Sequence, residues 1–283
     1  MAITPVDLSV TNITATSVRL NWVAGVDALQ ALINSLFGAG EQGSIYIPMP
    51  IVNGAQALFQ DSAGTVPVTA DGDPVGRMLD QSGNGNHATQ SVSGRRPIYR
   101  TDGALHWFET NGTNSGFQFT FPEYRNFTEV DFFYGIETET GTVADNTKEF
   151  VVGSGGYYFN SPTSSTSGET FMLISDTPLF RLGSSLYSRA ANAAGIVSFS
   201  IPNAGVGTLR ADGASVPMDL VIQSNFSPSA SSSTSSTVEI GSIKNTSFSA
   251  IHIYALIIRN KNSSTSETQQ TESYIAALSG VTL

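Results

Sequence analysis

Three kinds of residue in this chain could do chemistry: carboxylates on alternate strand positions, aspartates in tight turns, and aromatics beside loops. Glu129-Val130-Asp131 places two acids two residues apart, which on a β-strand puts both on one face. Two carboxylates flanking a glycosidic bond are the machinery of sugar hydrolysis. Here Phe132-Phe133-Tyr134 follows, and the further glutamate of a Glu-x-Asp-x-x-Glu pattern is absent. Glu137-Thr138-Glu139 runs into Gly141 and Thr142 and fails in the same way. Both read as solvent-facing strand acids. No G-x-S-x-G elbow occurs, since Gly153-Ser154-Gly155-Gly156 is a turn, and His87, His106 and His252 are too dispersed for a triad or a zinc site. The expectation is a protein that is not an enzyme and has no catalytic residues.

Asp71, Asp73 and Asp80 could offer oxygen ligands to Ca²⁺. The plainer reading is that they cap turns, and no cofactor is otherwise expected. For sugars, the useful residues are aromatics that stack on pyranose rings and side chains that hydrogen-bond hydroxyls. Trp107, Tyr124, Asn126, Tyr157 and Tyr158 fit that description. Strand alternation sends one of Tyr157 and Tyr158 outward.

The elements that must position these residues are mostly short strands. Ala63-Gly64, Asp71-Gly72-Asp73-Pro74 and Ser82-Gly83-Asn84-Gly85-Asn86 are turn chemistry, and between them Val66–Thr69 and Val75–Leu79 have strand length. Strands are also expected over Phe117–Phe121, Val130–Ile136, Glu149–Val152, Gly156–Phe159, Phe171–Ser175, Ile196–Ile201, Met218–Gln223 and Val238–Ile243. Leu209 to Val216 around Asp212-Gly213 reads as a hairpin. Ile251–Arg259 is the most hydrophobic run and should be central. The Ser/Thr tracts at 161–168 and 229–237 read as exposed loops.

Two helices bracket the strands. Val26, Leu29, Leu32, Ile33, Leu36 and Phe37 fall at helical spacing over 26–37, with Gly38 and Gly40 as stop signals. Ser264 to Leu278 reads as a second helix, with Glu267 in its first turn and Gly280 closing it. Ahead of the first helix, residues 5–23 alternate as a hairpin carrying Leu8, Val10, Val18, Leu20 and Trp22 on one face. This resembles the opening strands of a fibronectin type III domain. A lone two-stranded piece is not stable, so it must pack on the main domain, another subunit or a larger assembly.

The composition fits an all-β protein. Only 13% of the 283 residues are charged, glycine numbers 27, and the formal net charge is −10. Phosphate binding needs clustered Lys and Arg, so nucleic acid is not an expected partner. With no cysteine, neither disulfides nor thiolate metal sites can contribute. The longest apolar run, 250–258, is too short to cross a bilayer, so no membrane insertion is expected. The first residues lack a signal peptide's basic and apolar regions, which points to a soluble, cytoplasmically made protein.

The order of blocks resembles a known kind of module. Leu58-Phe59-Gln60-Asp61, the Asp80–Gln90 turn, Gly207–Ala214, Glu239–Ser242 and Ala255–Asn260 leading into a Glu/Thr-rich helix are similar to the laminin-G/concanavalin A-like modules of tailed-bacteriophage virion proteins. The chain departs from that pattern at Tyr46-Ile47-Pro48-Met49-Pro50 and at Phe108-Glu109-Thr110-Asn111, where acids common in the family are missing.

The resemblance implies an all-β, concanavalin A-like jelly-roll sandwich over 40–283, with residues 1–39 as an attachment or oligomer segment. It implies a virion surface protein, in a tail tip, tail fibre or head decoration, made in the host cytoplasm and binding host-surface glycans. Its expected partners are other virion proteins, through residues 1–39, and further copies of itself. The alternative on the same sandwich is a glycan depolymerase, distinguished by product release.

Overall fold

The computed structural model describes residues 21–120, 129–138, 148–152, 157–160, 169–175, 179–186, 194–201, 208–216, 237–240, 242–243, 247–248 and 250–283. Its two main sheets are antiparallel throughout and form an all-β sandwich with one helix towards each end of the chain.

Ile251–Arg259 is the centre of the first sheet. Along one edge it pairs with Val130–Thr138; along the other it pairs with Gly43–Tyr46 and then with His106–Glu109. The sheet continues outward through Gly195–Ile201 to the hairpin Thr208–Ala211/Ala214–Val216, and on the other side to Ile98–Thr101. The hairpin turns through Asp212 and Gly213, at φ of 47° and 78°. Positive φ at both central residues defines the mirror-image turn that matches strand twist, and Asp-Gly suits it.

The second sheet runs Leu179–Leu186, Glu169–Ser175, Tyr157–Asn160, Lys148–Val152, Thr237–Ile240, Phe117–Thr120, Ala88–Thr89, Arg77–Met78, Leu58–Phe59. Between the sheets lies an apolar core that includes Leu58, Met78, Phe108, Phe117, Phe132, Tyr134, Ile136, Ile240, Ile251, Ile253, Leu256 and Ile258. Phe108 meets Phe117 edge-on across it, with ring centroids 5.0 Å apart.

The outer face of the first sheet has its own core. Helix α1 (Asn21–Phe37) buries Leu29, Leu32, Leu36 and Phe37, and helix α2 (Thr265–Ser279) buries Ile275 and Ala276, against Ile45, Phe133, Ile196, Ala255 and Ile257. At the start of α2, Ser264 accepts the Glu267 amide at 3.2 Å, and the Glu267 carboxylate accepts the Ser264 amide at 2.7 Å, a complete capping box. Gly280 ends the helix in the left-handed region, at φ 70°.

Buried charges tie α2 to the sheet. Arg210 makes a two-pronged contact with Glu272, at 2.7 and 3.0 Å, and Ser198 adds a third bond at 2.6 Å. Arg259, only 1% exposed, bridges Glu267 at 2.9 Å and Glu41 at 3.5 Å.

Four expectations need correction. Asp131, expected to face solvent, is 1% exposed and accepts from the Asn262 side chain at 2.8 Å and the Ser263 amide at 2.6 Å. Trp22 and Val23, expected in a strand, lie in α1, which begins at Asn21; the hairpin's residues before that lie outside the described ones. Val66–Thr69 forms no strand. Two of its amides are taken by local side chains instead, Val66 by Asp61 and Thr69 by Asp73; Val68 still donates to the Leu58 carbonyl, and Pro67 makes an isolated bridge to Phe59. Val75–Leu79 shrinks to Arg77–Met78, because Val75 and Gly76 bond to Pro97 and Phe59. Residues 161–168, 218–223 and 229–236 lie outside the described residues.

Candidate functional site

The strongest cluster of functional side chains lies on the outer face of the first sheet, beyond the end of α2. Alternation on Ile251–Arg259 sends Ile251 and Ile253 into the inter-sheet core, which leaves His252 and Tyr254 on the opposite face. A bulge then interrupts the strand. Gly135 pairs with Ala255 but Ile136 pairs with Ile253, so Tyr254 is the extra residue and the side-chain sequence shifts by one. Beyond it Ala255 and Ile257 face the helices, and Leu256 and Ile258 face the core.

Neighbouring strands complete the cluster. Glu137 stands opposite His252 on one side and Glu109 on the other, and Arg100 pairs with Trp107 one strand further out. The half-buried Trp107 ring packs against His252, at a centroid distance of 5.6 Å, and against Tyr254, at 5.8 Å. The Tyr254 hydroxyl donates to Glu137 Oε2 at 2.8 Å, and His252 Nδ1 lies 3.7 Å from the same oxygen. Burial, reinforced by Glu137 and the charge of Asp102, pushes the Tyr254 phenol well above its ordinary value, so it stays a neutral donor. Arg100 Nε donates to Glu109 Oε2 at 2.8 Å, and its Nη1 lies 3.6 Å from Asp71.

Among the described residues, one buried side-chain donor of this cluster has no acceptor. The indole Nε1–H of Trp107 is buried and makes no hydrogen bond. Buried tryptophan N–H groups ordinarily find a partner, and leaving one unmet costs roughly 1–3 kcal/mol. An apolar ring face, a donor without an acceptor and rim carboxylates are the elements with which proteins hold polyhydroxylated ligands.

The other sequence candidates fall elsewhere. Tyr157 and Tyr158 are in the second sheet, Tyr157 opposite Val152 and Ile174, Tyr158 opposite Val151 and Leu173. Tyr124 and Asn126 lie outside the described residues. The aspartates accept local hydrogen bonds. Asp80 takes the amides of Ile45 and Ser82 at 2.9 Å, the Ser82 hydroxyl at 2.8 Å and the Asn86 amide at 3.0 Å. Asp73 takes the amides of Thr69 and Ala70 at 2.8 and 3.0 Å, and Asp71 takes that of Thr101 at 2.9 Å. Among the described residues no three His, Asp or Glu side chains converge as a metal site.

Sequence reasoning picked out Trp107 but not its partners. Glu137 and His252 were each weighed alone. The signal that joins them is the alternation of His252 and Tyr254 with two isoleucines, set beside an acid at the end of the Val130–Thr138 strand.

No protein-family model matches the sequence. No curated protein matches it either. Solved structures do match in fold. Trypanosoma rangeli sialidase aligns with a TM-score of 0.52 at 12% identity, covering 89% of this chain and 38% of the sialidase. The same enzyme in complex with 2,3-difluorosialic acid aligns at 0.51 and 12% identity, covering 91% and 38%. Domain 4 of AbnA, an extracellular arabinanase of Geobacillus stearothermophilus, in complex with arabinotriose, reaches only 0.47 at 11% identity, over 69% of this chain and 91% of that domain.

The likeness is one of fold. This chain spans 38% of the length of the sialidases it matches. It nonetheless corrects one expectation: a sandwich without a recognisable catalytic motif reads as not an enzyme, yet the sialidase structures it matches are those of an enzyme. A missing sequence motif is therefore no ground for excluding catalysis on this fold.

Proposed function

We propose that this chain is a glycan-engaging β-sandwich on the surface of a tailed-phage virion, in a tail tip, tail fibre or head decoration. The observation that carries glycan engagement is the Trp107 cluster, where a half-buried indole with an unmet N–H is flanked by Tyr254, His252 and Glu137. The virion assignment is supported by the block order in Leu58–Gln90 and 207–260, which resembles phage modules. In this reading residues 1–39 contact other virion proteins, and copies of the chain associate with one another.

A glycan array probed with the wild-type chain and with Trp107→Ala tests the reading. Oligosaccharide binding that the variant loses supports it; binding retained in full by the variant refutes the site. Incubation with host polysaccharide, read for released product, decides whether binding is accompanied by turnover. Removing residues 1–25 should leave a folded chain that no longer joins particles, and normal incorporation would refute the anchoring role.

A further inference from the structure

We infer that the Trp107 cluster selects neutral or amino sugars and rejects anionic ones such as sialic and uronic acids. The inference rests on the glycan-engaging reading and adds the ligand's charge to it.

Carboxylates dominate the charges that face Trp107. Glu137 and Glu109 flank His252 on either side in register, and Asp102 is close enough to act electrostatically on the Tyr254 hydroxyl. Amides of Ala104 and Leu105 bond Asp102 Oδ1 at 2.8 and 2.7 Å, and these bonds, that from Leu105 above all, hold its carboxyl below the usual range, so it is ionised. Asp71 lies behind, against Arg100. Four carboxylates thus face one guanidinium and two imidazoles, His252 and, beside Asp102, His106, and the cluster stays negative whichever charge states these take.

Arg100 does not offer an anion a free fork. Its Nε is bonded to Glu109 and its Nη1 leans on Asp71. A bidentate grip on a sugar carboxylate, the usual device for such ligands, would require breaking that contact. Glu137 and Glu109, in contrast, each use Oε2 for their hydrogen bond inside the cluster, and their Oε1 atoms have no hydrogen bond among the described residues. Ionised carboxylates only accept, so the complementary ligand is rich in O–H or N–H donors. The buried Trp107 Nε1–H, which has no acceptor among the described residues, would be met by a hydroxyl or acetamido oxygen. The net charge of −10 adds a long-range field of the same sign.

The test uses the full chain carrying Trp22→Phe, which leaves Trp107 as the only tryptophan. Its fluorescence is titrated with lactose, 3′-sialyllactose, tri-N-acetylglucosamine and triglucosamine. Expected is quenching or enhancement with at least one neutral or amino sugar, with 3′-sialyllactose at least roughly tenfold weaker than lactose or inert. Glu109→Gln together with Glu137→Gln should narrow that gap. Tighter binding of 3′-sialyllactose than of lactose overturns the charge preference while leaving the glycan reading intact. No response to any of these sugars, together with an empty glycan array, overturns both.

Discussion

Gly135 lies directly beneath Ile275: a Cβ placed on it would stand 2.8 Å from Ile275 Cγ2 and 3.4 Å from Tyr254 Cβ. This contact lets α2 settle on the sheet where the bulge at Tyr254 begins, next to the Trp107 cluster. Gly135→Ala should destabilise the fold by about 1–3 kcal/mol through overpacking. Adding Ile275→Leu, which moves the branch away from Cβ, should recover part of that loss. Urea midpoints of the wild type, the two single variants and the double variant give the coupling, and additive losses would contradict the contact.

The Arg210–Glu272 pair makes an asymmetric prediction. Glu272 has a side chain only 2% exposed, so Arg210→Met leaves a carboxylate buried without its counter-ion, at a cost of about 3–5 kcal/mol. Replacing both partners, as Arg210→Met with Glu272→Leu, should cost less than the single change. Equal losses in urea denaturation would show that the pair is not desolvated in the way described.

Acid should loosen the start of α2. Burial pushes the Glu267 carboxyl up, but the hydrogen bonds from Ser264 and Arg259 outweigh it and the net direction is down from 4.5; Glu41 is lowered in the same way, with Lys261 as the principal partner. A lowered folded-state value stabilises the protein above about pH 4.5, and that contribution is lost as pH falls through the folded value. Asp131 acts in the opposite sense: burial raises its carboxyl above 3.8, so protonation on acidification relieves its cost. Glu267→Gln should therefore flatten the fall of stability as pH drops from about 4.5 through the lower folded-state value. Unchanged pH dependence in chemical denaturation would remove Glu267 from the account.

The cap itself can be tested separately. Ser264→Ala removes the acceptor for the Glu267 amide and should cost about 1 kcal/mol. Ser264→Asp should retain most of the stability, because a carboxylate at that position accepts the same amide.

Much of this architecture was readable from residue patterns because the relevant signals are local. Ser264 and Glu267 at the capping spacing, Gly280 as a stop, and Asp212-Gly213 between alternating strands each act within a few residues. Ile251–Arg259 was readable as central because it is apolar at almost every position and so must be covered on both faces. The misreadings arose where side chains replaced backbone pairing. Val66–Thr69 has strand composition, yet Asp61 and Asp73 take two of its amides.

The strand Leu179–Leu186 carries Gly183, Ser184 and Ser185 in its interior and has no clean alternation to announce it. The candidate site was hardest to foresee. Trp107, Glu137 and His252 come from three strands far apart in sequence, and a bulge at Tyr254 resets the alternation of the residues that follow it. Neither register nor bulge position follows from single-residue preferences.

The most direct measurement is the indole N–H resonance of Trp107, one of two such signals in the chain, followed as an array-selected oligosaccharide is added to the full-length protein. The account predicts that this resonance shifts in a saturable way, and that the matching Trp107→Ala variant no longer binds. A sugar that binds measurably while the Trp107 indole signal stays where it was would contradict it.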